Sequence, residues 1–407
     1  MDLYDVSTSI FKNEETLMED WVPDELPERE DELKEIAFAF KPPLRGEANT
    51  HNLFVYGKSG LGKTAAVEIA LRELKQPFDE LGKDLTTVNV SLKDVSTEFQ
   101  AVGEILTHIE PETYSRPKGV SLGDLNHRLF HALEDIGGHV VIILDEIDNL
   151  GTNDDLLYQI PRARSNDRLE ETRVSVVGIS NDLKFRENLS AKVKDTLCDV
   201  EVNFDPYDAN QLRSILHHRK EIAFQDGVVG DDVIGLCAAW AAKDQGSARQ
   251  GIKYLHRAGE IASDRGFDDV TVDHLHEARD RIEQEQVINS ISNLTTHDQA
   301  TLLALASLEE NGKSTTRTKY IYGEYKQIAE SVGMDTLTSR SIRDKLRNLD
   351  TYNLVVAKEK SGGLEGGKYL ECELNIDLDD LYDAFSSVER FDEIIDSIQS
   401  GSRQSRL

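Results

Sequence analysis

Cysteine, long apolar runs and basic residues are all scarce in this chain of 407 residues. Its 3 cysteines, Cys198, Cys237 and Cys372, lie far apart and form no Cys-x-x-Cys pair. That spacing argues against a disulfide framework or a zinc site and favours a reducing cytoplasm. No apolar stretch approaches the roughly 20 residues that a membrane-spanning helix requires, and the acidic N-terminus lacks a signal-peptide pattern. We therefore predict a globular cytoplasmic protein that has no membrane partner.

The charge balance is strongly acidic, with 46 basic residues against 76 acidic ones and a net charge of −30. Such a balance counts against nucleic-acid binding, because phosphate contacts dominate that affinity. Excess surface carboxylate is also typical of proteins from a salt-saturated cytoplasm, where a Debye length of about 3 Å screens the repulsion from DNA. Two interpretations stay open: an acidic protein that avoids nucleic acid, and a halophilic protein whose local basic clusters decide its partners. We favour the second.

A phosphate-binding loop is the most specific motif in the chain. The apolar run from Leu53 to Tyr56 predicts a buried strand, and residues 57–64 then match G-x-x-x-x-G-K-[ST] in full. Glycines let the backbone approach an anion, and amides at the next helix N-terminus face the phosphates. Lys63 supplies a cation for the β- and γ-phosphates and Thr64 a hydroxyl for Mg²⁺, so ATP or ADP is the expected ligand. The predicted binding residues are Gly57, Lys58, Ser59, Gly60, Leu61, Gly62, Lys63 and Thr64.

Two further buried strands end in polar residues. Residues 140–144 are fully apolar, and Asp145 and Glu146 follow them. Asp145 is predicted to anchor the Mg²⁺ shell, and Glu146 to orient or deprotonate the attacking water. Residues 173–180 form the other strand, and Asn181 ends it at the sheet edge where ligands bind. Asn181 is expected to hold the attacking water or the γ-phosphate; the alternative is an asparagine that merely ends the strand.

The alternation of strands and helices stops after residues 200–204, and Asp205-Pro206 marks a boundary. Residues 207–286 show only helical patterns. Ser247 is a suitable N-cap for the third of these helices. Arg249 falls in the first turn of that helix, where the helix dipole disfavours a cation, so a phosphate partner would explain it. The alternative is an ordinary surface arginine.

A third pattern begins near Leu294: helix, helix, helix, strand, glycine-rich turn and strand, which is the order of a winged helix. The third helix, predicted over residues 336–349, has an apolar face and an arginine face that only Asp344 opposes nearby. Arginines in a chain this acidic favour a recognition helix in a DNA major groove, with two lysines beside the wing. The alternative is a solvated face in a protein-interaction domain. The predicted DNA-binding residues are Arg340, Arg343, Arg347, Lys358 and Lys360.

Together these features resemble the AAA+ ATPases and, within them, the archaeal-type origin recognition and cell division control initiators of DNA replication. The resemblance covers nearly the whole chain. It implies an α/β AAA+ ATPase core with a parallel sheet and a phosphate loop, an all-α lid and a C-terminal winged-helix domain. The implied domains are residues 1–204 with an N-terminal arm, residues 205–288, and residues 289–407 with an acidic tail. The most specific segments are Asn52 to Thr64, Ile143-Leu-Asp-Glu-Ile-Asp148 and Ser180-Asn-Asp-Leu-Lys-Phe185, and Leu197 to Phe204 adds to these.

The resemblance also implies residue roles and partners. Val22, Pro23 and Arg29 look like the adenine-side region, and residues 110–128 look like an insertion with which the family touches DNA. The family implies ATP-dependent binding and bending of double-stranded origin DNA and recruitment of the MCM helicase. Another initiator copy or paralogue is a further expected partner. By resemblance, Walker A is Lys63 and Thr64, Walker B is Asp145 and Glu146, sensor 1 is Asn181 and sensor 2 is Arg249.

Two positions depart from the family pattern. Family members usually carry Asp-Pro-Arg after Asn-Leu, and that arginine reaches the γ-phosphate of a neighbouring subunit. This chain has Leu189-Ser-Ala-Lys192 instead, and Lys192, the candidate trans finger, lacks the planar fork of arginine. The sensor 2 segment is more often Gly-Asp-x-Arg, and Ser247 here keeps the capping ability of the aspartate.

Three functions therefore stay open. The first is an ATP/ADP-switched initiator that binds origin DNA and helps to recruit or load the MCM helicase, with slow hydrolysis. The second is a hydrolysis-poor, DNA-bound paralogue that regulates replication or transcription, which Lys192 favours. The third is a motor or clamp-loader type of ATPase, for which the sequence has no positive sign.

Overall fold

The computed structural model describes residues 10–46, 51–115, 119–150, 154–361, 368–386 and 388–405. The chain divides into two compact units, Met1–His276 and Glu277–Leu407. The division into three domains after residues 204 and 288 stays a prediction. Most of the N-terminal arm, part of the candidate insertion and the glycine-rich turn lie outside the described residues.

A five-stranded parallel sheet forms the centre of the first unit, which confirms the predicted α/β core. Its strands are β1 (Leu53–Gly57), β2 (Leu85–Ser91), β3 (His139–Asp145), β4 (Arg173–Ser180) and β5 (Val200–Phe204). Their spatial order is β2-β3-β4-β1-β5. Residues 139–144 of β3 are all buried, as expected for a parallel strand that is covered on both faces.

Helices flank this sheet along the chain. They are α1 (Glu30–Phe40), α2 (Lys63–Glu80), α3 (Glu98–Ile109), α4 (Leu122–Ile136), α5 (Asp155–Gln159), α6 (Phe185–Asn188) and α7 (Ala191–Leu197). Helix α2 begins directly at the end of the phosphate loop. Periodicity does not predict α5, α6 or α7, because elements this short do not show one.

Only helices follow β5 until the second unit, as the sequence pattern predicts. They are α8 (Ala209–Ala223), α9 (Asp231–Lys243), α10 (Ala248–Asp264) and α11 (Val272–Ser292), and α11 continues into the second unit from Glu277 onward. Ser247 is the N-cap of α10, and its Oγ accepts from the backbone N–H of Gln250 at 3.3 Å. This cap makes α10 start beside the phosphate loop with a defined first turn.

The second unit has the predicted element order of a winged helix. Its elements are α12 (Thr296–Glu310), β6 (Thr316–Arg317), α13 (Thr318–Ser331), α14 (Ser339–Thr351), β7 (Val355–Ser361), β8 (Lys368–Leu374), α15 (Leu378–Phe385) and α16 (Asp392–Ser405). The strands form an antiparallel sheet in the order β6-β8-β7. On α14, Ile342, Leu346 and Leu349 are fully buried, as their spacing predicts. Within the described ranges, no helix is both long and apolar enough to cross a membrane.

Candidate functional site

Three strand ends bring the predicted nucleotide residues to one edge of the parallel sheet. Tyr56 of β1 pairs with Ser180 of β4, and Asp145 of β3 pairs with Ile179. The loop after β1, the acids after β3 and the asparagine after β4 therefore emerge side by side. A cavity of about 470 Å³ opens at this edge. The predicted residues that line it are Val22, Pro23, Ser59, Gly60, Gly62, Lys63, Thr64, Asp145, Glu146, Asn181 and Arg249.

Lys63 is a buried cation that holds the phosphate loop together. Its Nζ donates to the carbonyl oxygens of Gly57 at 2.8 Å and Lys58 at 2.7 Å, and to Asn181 Oδ1 at 2.8 Å. Burial lowers the pKa of Lys63 to about 8, and the Asp145 carboxylate opposes that shift. A phosphate at this position would favour the charged ammonium that burial disfavours. Gly57 and Lys58 thus act through their carbonyl groups and do not line the cavity.

Thr64, at the end of the phosphate loop, and Asp145 present oxygen atoms suited to binding Mg²⁺. Thr64 Oγ1 donates to Asp145 Oδ2 at 2.5 Å, and a hydroxyl with a carboxylate fits the all-oxygen coordination of Mg²⁺. The other Asp145 oxygen, Oδ1, accepts from the backbone N–H of Glu146 at 2.8 Å. Glu146 has a φ of 58°, which is uncommon for a residue other than glycine. This backbone conformation sets the direction of a carboxylate that lines the cavity.

The first turn of α10 packs against the phosphate loop. The Gly60 carbonyl accepts from the backbone N–H of Ala248 at 3.0 Å and of Arg249 at 3.4 Å. Arg249 Nη1 also donates to Ser59 Oγ at 3.1 Å. Gly60 has a φ of +77°, and a Cβ on it would lie 2.0 Å from Ser247 Oγ. A glycine is therefore required here both by the backbone conformation and by the close approach of the helix.

Of the three residues predicted on the adenine side, two lie at the cavity and one does not. Val22 and Pro23 line the cavity. Arg29 does not line it and is only 3% exposed. Its Nε donates to the Leu61 carbonyl at 3.3 Å, and its Nη2 donates to the Asp205 carbonyl at 2.6 Å. The contacts of Arg29 are thus structural, because its guanidinium is held by one carbonyl of the loop, by the Asp205 carbonyl and by the Glu32 carboxylate.

Trp21 and Arg219 are among the cavity residues that sequence reasoning missed. The Trp21 ring lines the cavity and lies 4.2 Å from the guanidinium carbon of Arg219 on α8. Arg219 Nη1 donates to the Thr16 carbonyl at 2.7 Å, and burial lowers the pKa of Arg219 to about 10. The sequence did contain a signal for Trp21: it is one of only 2 tryptophans in the chain, and it directly precedes Val22, which was predicted on the adenine side. Nothing in the local sequence pointed to Arg219.

The candidate trans finger, Lys192, has partners in its own chain. Its ammonium pairs with the Asp155 carboxylate, and its Nζ lies 5.4 Å from the centre of the Tyr158 ring. The contact with Asp155 raises the pKa of Lys192. Lys192 does not line the nucleotide cavity of its own chain.

The predicted arginines of α14 face a carboxylate that the sequence did not reveal. Glu359 of β7 pairs with Arg343 at 3.3 Å and also pairs with Arg347. Asp344 is a more distant partner of Arg347, at 3.9 Å. The expectation that only Asp344 opposes the arginines is wrong, because the fold brings β7 against α14.

The two predicted wing lysines are also paired. Lys358 lies 3.5 Å from the Glu373 carboxylate, and Lys360 pairs with Glu371 on the neighbouring strand β8. Arg340 is the exception: it is exposed, and no carboxylate in the described part of the chain forms an ion pair with it. Four of the five predicted cations are therefore matched by carboxylates within the unit.

A second set of exposed cations lies on and beside α13, and sequence reasoning missed it. We call it the α13 surface; it consists of Lys313, Arg317, Lys319, Tyr320 and Lys326, all of them exposed. Lys313 Nζ lies 6.0 Å from the centre of the Tyr320 ring, and the Arg317 guanidinium carbon lies 4.2 Å from that of Tyr369. Among the described residues, no carboxylate pairs with these four cations. The sequence did indicate part of this surface, because the spacing of Lys319 and Lys326 places both lysines on one face of a helix.

The phosphate loop, the acids after β3, the asparagine after β4 and the helical lid define the AAA+ class of ATPases. Residues 25–172 match the AAA ATPase domain, and residues 213–280 match the Cdc6 AAA+ ATPase-type lid domain. Residues 289–384 match the CDC6 C-terminal winged helix domain.

Full-length relatives identify the family. An ORC1-type DNA replication protein 2 of Haloarcula marismortui is 36% identical, with 93% of this chain and 92% of that protein covered. An ORC1-type DNA replication protein of Thermococcus kodakarensis is 37% identical, with 90% and 88% covered. The Aeropyrum pernix ORC1 protein, solved in complex with DNA, matches with a TM-score of 0.86 and 35% identity over 96% of this chain and 100% of that one. The chain belongs to the family of ORC1-type DNA replication initiators, as the resemblance predicts.

Proposed function

We propose that the chain is an ATP-dependent replication initiator that binds double-stranded origin DNA and helps to recruit or load the MCM helicase. The observation that carries this proposal is the contact between the lid and the phosphate loop. Arg249, on the first turn of α10, reaches Ser59 Oγ at 3.1 Å, beside Lys63 and Asn181. A triphosphate bound at this loop would meet cations from both the core and the lid, so its γ-phosphate can set the position of α10.

The nucleotide residues fit ATP with Mg²⁺. Lys63 and the loop amides would bind the phosphates, and Thr64 with Asp145 would hold the metal ion. Mg²⁺ supplies charge neutralisation on the phosphate oxygens. Glu146 would orient or deprotonate the attacking water, with Asn181 holding that water or the γ-phosphate. Hydrolysis is expected to be slow, and ADP would reset the switch.

The DNA-binding part of the proposal is supported by the winged helix in the second unit and by the relative from Aeropyrum pernix that was solved with DNA. The MCM helicase and a second initiator copy or paralogue are proposed partners from the family resemblance. The three-domain division, with a core over residues 1–204, a lid over 205–288 and a winged-helix domain over 289–407, belongs to the same proposal.

Genome-wide mapping of the protein in living cells, native beside Lys63→Ala, tests the initiator. Sharp peaks at replication start sites that weaken in the variant are the expected result. Peaks at promoters, or a diffuse signal that does not depend on Lys63, would contradict an ATP-switched initiator.

A second candidate function is a DNA-bound regulator that binds ATP and scarcely hydrolyses it. The pairing of Lys192 with Asp155 favours this candidate, because a cation held within its own chain is a poor donor to the nucleotide of a neighbour. Turnover of Lys192→Arg beside the native protein, with duplex DNA present, separates the two functions. A rise of on the order of tenfold in the variant, with the native rate near background, would favour the regulator. Equal, DNA-stimulated turnover in both would favour the initiator.

A further inference from the structure

We infer that duplex DNA contacts the second unit mainly through the α13 surface, whose cations hold the phosphate backbone. The inference rests on the proposed function, since it names the part of the unit that carries DNA affinity. It differs from the sequence-based expectation, which assigned that affinity to α14 and to the lysines beside the wing.

The distribution of carboxylates separates the two sets of cations. On α14 and β7, Arg343 and Arg347 share Glu359, while two lysines pair with acids of β8. A phosphate arriving there meets the carboxylates as well as the cations, so attraction and repulsion largely cancel. Counterion release, which supplies most backbone affinity, depends on cations that phosphates can neutralise. Cations that are already neutralised contribute little to it.

The α13 surface keeps its charge because the acid in the middle of the helix turns away. Glu324 lies between Lys319 and Lys326 in sequence, but its carboxylate accepts from Ser307 Oγ of α12 at 2.6 Å. This contact directs the Glu324 carboxylate towards the interior of the unit. Glu330, one turn after Lys326, is the exposed acid that closes this face at its C-terminal end.

Aromatic rings hold two of these cations without neutralising them. Arg317 lies over the ring of Tyr369, and Lys313 lies beside the ring of Tyr320, which is 57% exposed. A ring face attracts a cation but leaves its hydrogen-bond donors available to a phosphate. An exposed tyrosine beside basic residues also adds a hydroxyl that can donate to phosphate oxygens.

The position of Lys319 is a further sign of an anionic partner. It lies in the first turn of α13, where the helix dipole disfavours a cation. A phosphate at this end of the helix would interact favourably with both the dipole and the ammonium. At molar salt the Debye length is about 3 Å, so only phosphates in direct contact with such cations contribute.

Arg340 completes the arrangement. It lies in the first turn of α14, it is exposed, and it is the predicted α14 arginine without an ion-pair partner in the described chain. A recognition helix contacts base edges with its N-terminal residues while the preceding helix crosses the backbone. We therefore assign Arg340 to base contact and the α13 surface to the backbone.

The test measures how duplex affinity depends on salt. The full-length protein binds a fluorescein-labelled 30-base-pair duplex of mixed sequence, followed by anisotropy, across the range of KCl in which its circular dichroism is unchanged. One variant carries Lys313→Gln, Lys319→Gln and Lys326→Gln. Its matched variant carries Arg347→Gln, Lys358→Gln and Lys360→Gln, and thus loses the same number of charges from the paired set. A third, with Lys75→Gln, Lys93→Gln and Lys243→Gln in the first unit, controls for total charge.

The α13 variant is expected to bind the duplex at least about tenfold more weakly than the native protein. The slope of log K against log salt should decrease in magnitude by roughly two to three, because each phosphate that the protein no longer neutralises accounts for about 0.9. The matched variant should lower that slope by less than about one. An equal or larger decrease in the matched variant overturns the inference and leaves the initiator proposal standing. If the native protein binds no duplex at any salt concentration, the DNA-binding part of the proposed function fails instead.

Discussion

The nucleotide cavity and the winged-helix surface differ in how the predicted residues meet one another. In the cavity, residues predicted from separate motifs are in contact: Lys63 meets Asn181, and Thr64 meets Asp145. On the winged helix, four of the five predicted cations contact carboxylates of their own unit instead. A motif that needs a strand end and a loop is thus far more predictive of a site than a stripe of like charges on one helix.

The difference has a topological cause. Parallel strands that alternate with helices deliver their C-terminal ends to one edge, so the residues after β1, β3 and β4 must converge. A cation on a helix surface has no such constraint. Whether it is available depends on which strand packs beside it, and Glu359 on β7 is such a neighbour of Arg343. Substitutions in the cavity should therefore have larger effects than substitutions on the winged helix.

The largest effect is expected from Lys63→Ala. This change removes a buried cation that donates to three acceptors, and ATP affinity should fall on the order of a hundredfold, the equivalent of about 3 kcal/mol. Isothermal titration with ATP and Mg²⁺ measures it. Lys75→Ala, an exposed lysine on the same helix, is the matched control and should bind as the native protein does. If Lys63→Ala binds ATP as tightly as the native protein does, Lys63 does not contribute to nucleotide binding.

A smaller effect is expected from Gly60→Ala, which tests the contact between the lid and the loop. The positive φ and the approach of Ser247 Oγ to 2.0 Å both oppose a Cβ, and we expect a loss of about 1–2 kcal/mol in the free energy of unfolding. Denaturant titration at high salt measures the loss.

The double variant with Ser247→Ala separates the two causes. Ser247→Ala removes the atom closest to the new Cβ but leaves the backbone strain at position 60. The loss of unfolding free energy in the double variant should therefore be smaller than the sum of the losses in the two single variants. Additive losses would show that the close approach of α10 does not contribute to the destabilisation caused by Gly60→Ala. Gly46→Ala is a control for backbone strain alone, since Gly46 has a φ of +88° and no neighbour within 4 Å of its Cβ position.

The pH dependence of nucleotide binding should follow Lys63. Burial lowers its pKa to about 8 in the free protein, whereas a bound phosphate favours the ammonium. Binding above that pH therefore takes up a proton, and affinity should fall by up to about tenfold as pH rises from about 7 to about 9. Titrations with ADP at several pH values measure this. Lys63→Arg keeps its charge over the range and should show a flat profile; a flat native profile would contradict the assignment.

The smallest effect is expected from Glu359→Gln on the winged helix. The change frees Arg343 and Arg347 for phosphates, and duplex affinity should rise about two- to threefold, since exposed ion pairs are weak. Anisotropy at a single KCl concentration measures it. Glu283→Gln, which removes a carboxylate that pairs with Arg279 on α11, is the matched control. An unchanged affinity would mean that Glu359 does not limit these arginines.

Much of the fold was predictable from local pattern. The buried strands, the helix after the loop and the first three helices that lie wholly in the second unit, α12 to α14, follow from apolar periodicity and from residues that favour helix ends. The short helices α5 to α7 were not predictable, because so few residues show no periodicity. Arg29 was placed on the adenine side by resemblance, whereas the structure buries it with its guanidinium donating to the backbone carbonyls of Leu61 and Asp205.

The sequence by itself determined the phosphate loop, its acids and the order of elements, because each depends on residues that are consecutive or share one helical face. Only the tertiary structure decided which charges are free. The pairing of Arg347 with Glu359, the burial of Arg29 and the turning of Glu324 towards Ser307 all join side chains from different elements. Coulomb interactions act through space, and at high salt over only a few ångströms, so a cation is available only where the fold leaves no carboxylate within that distance.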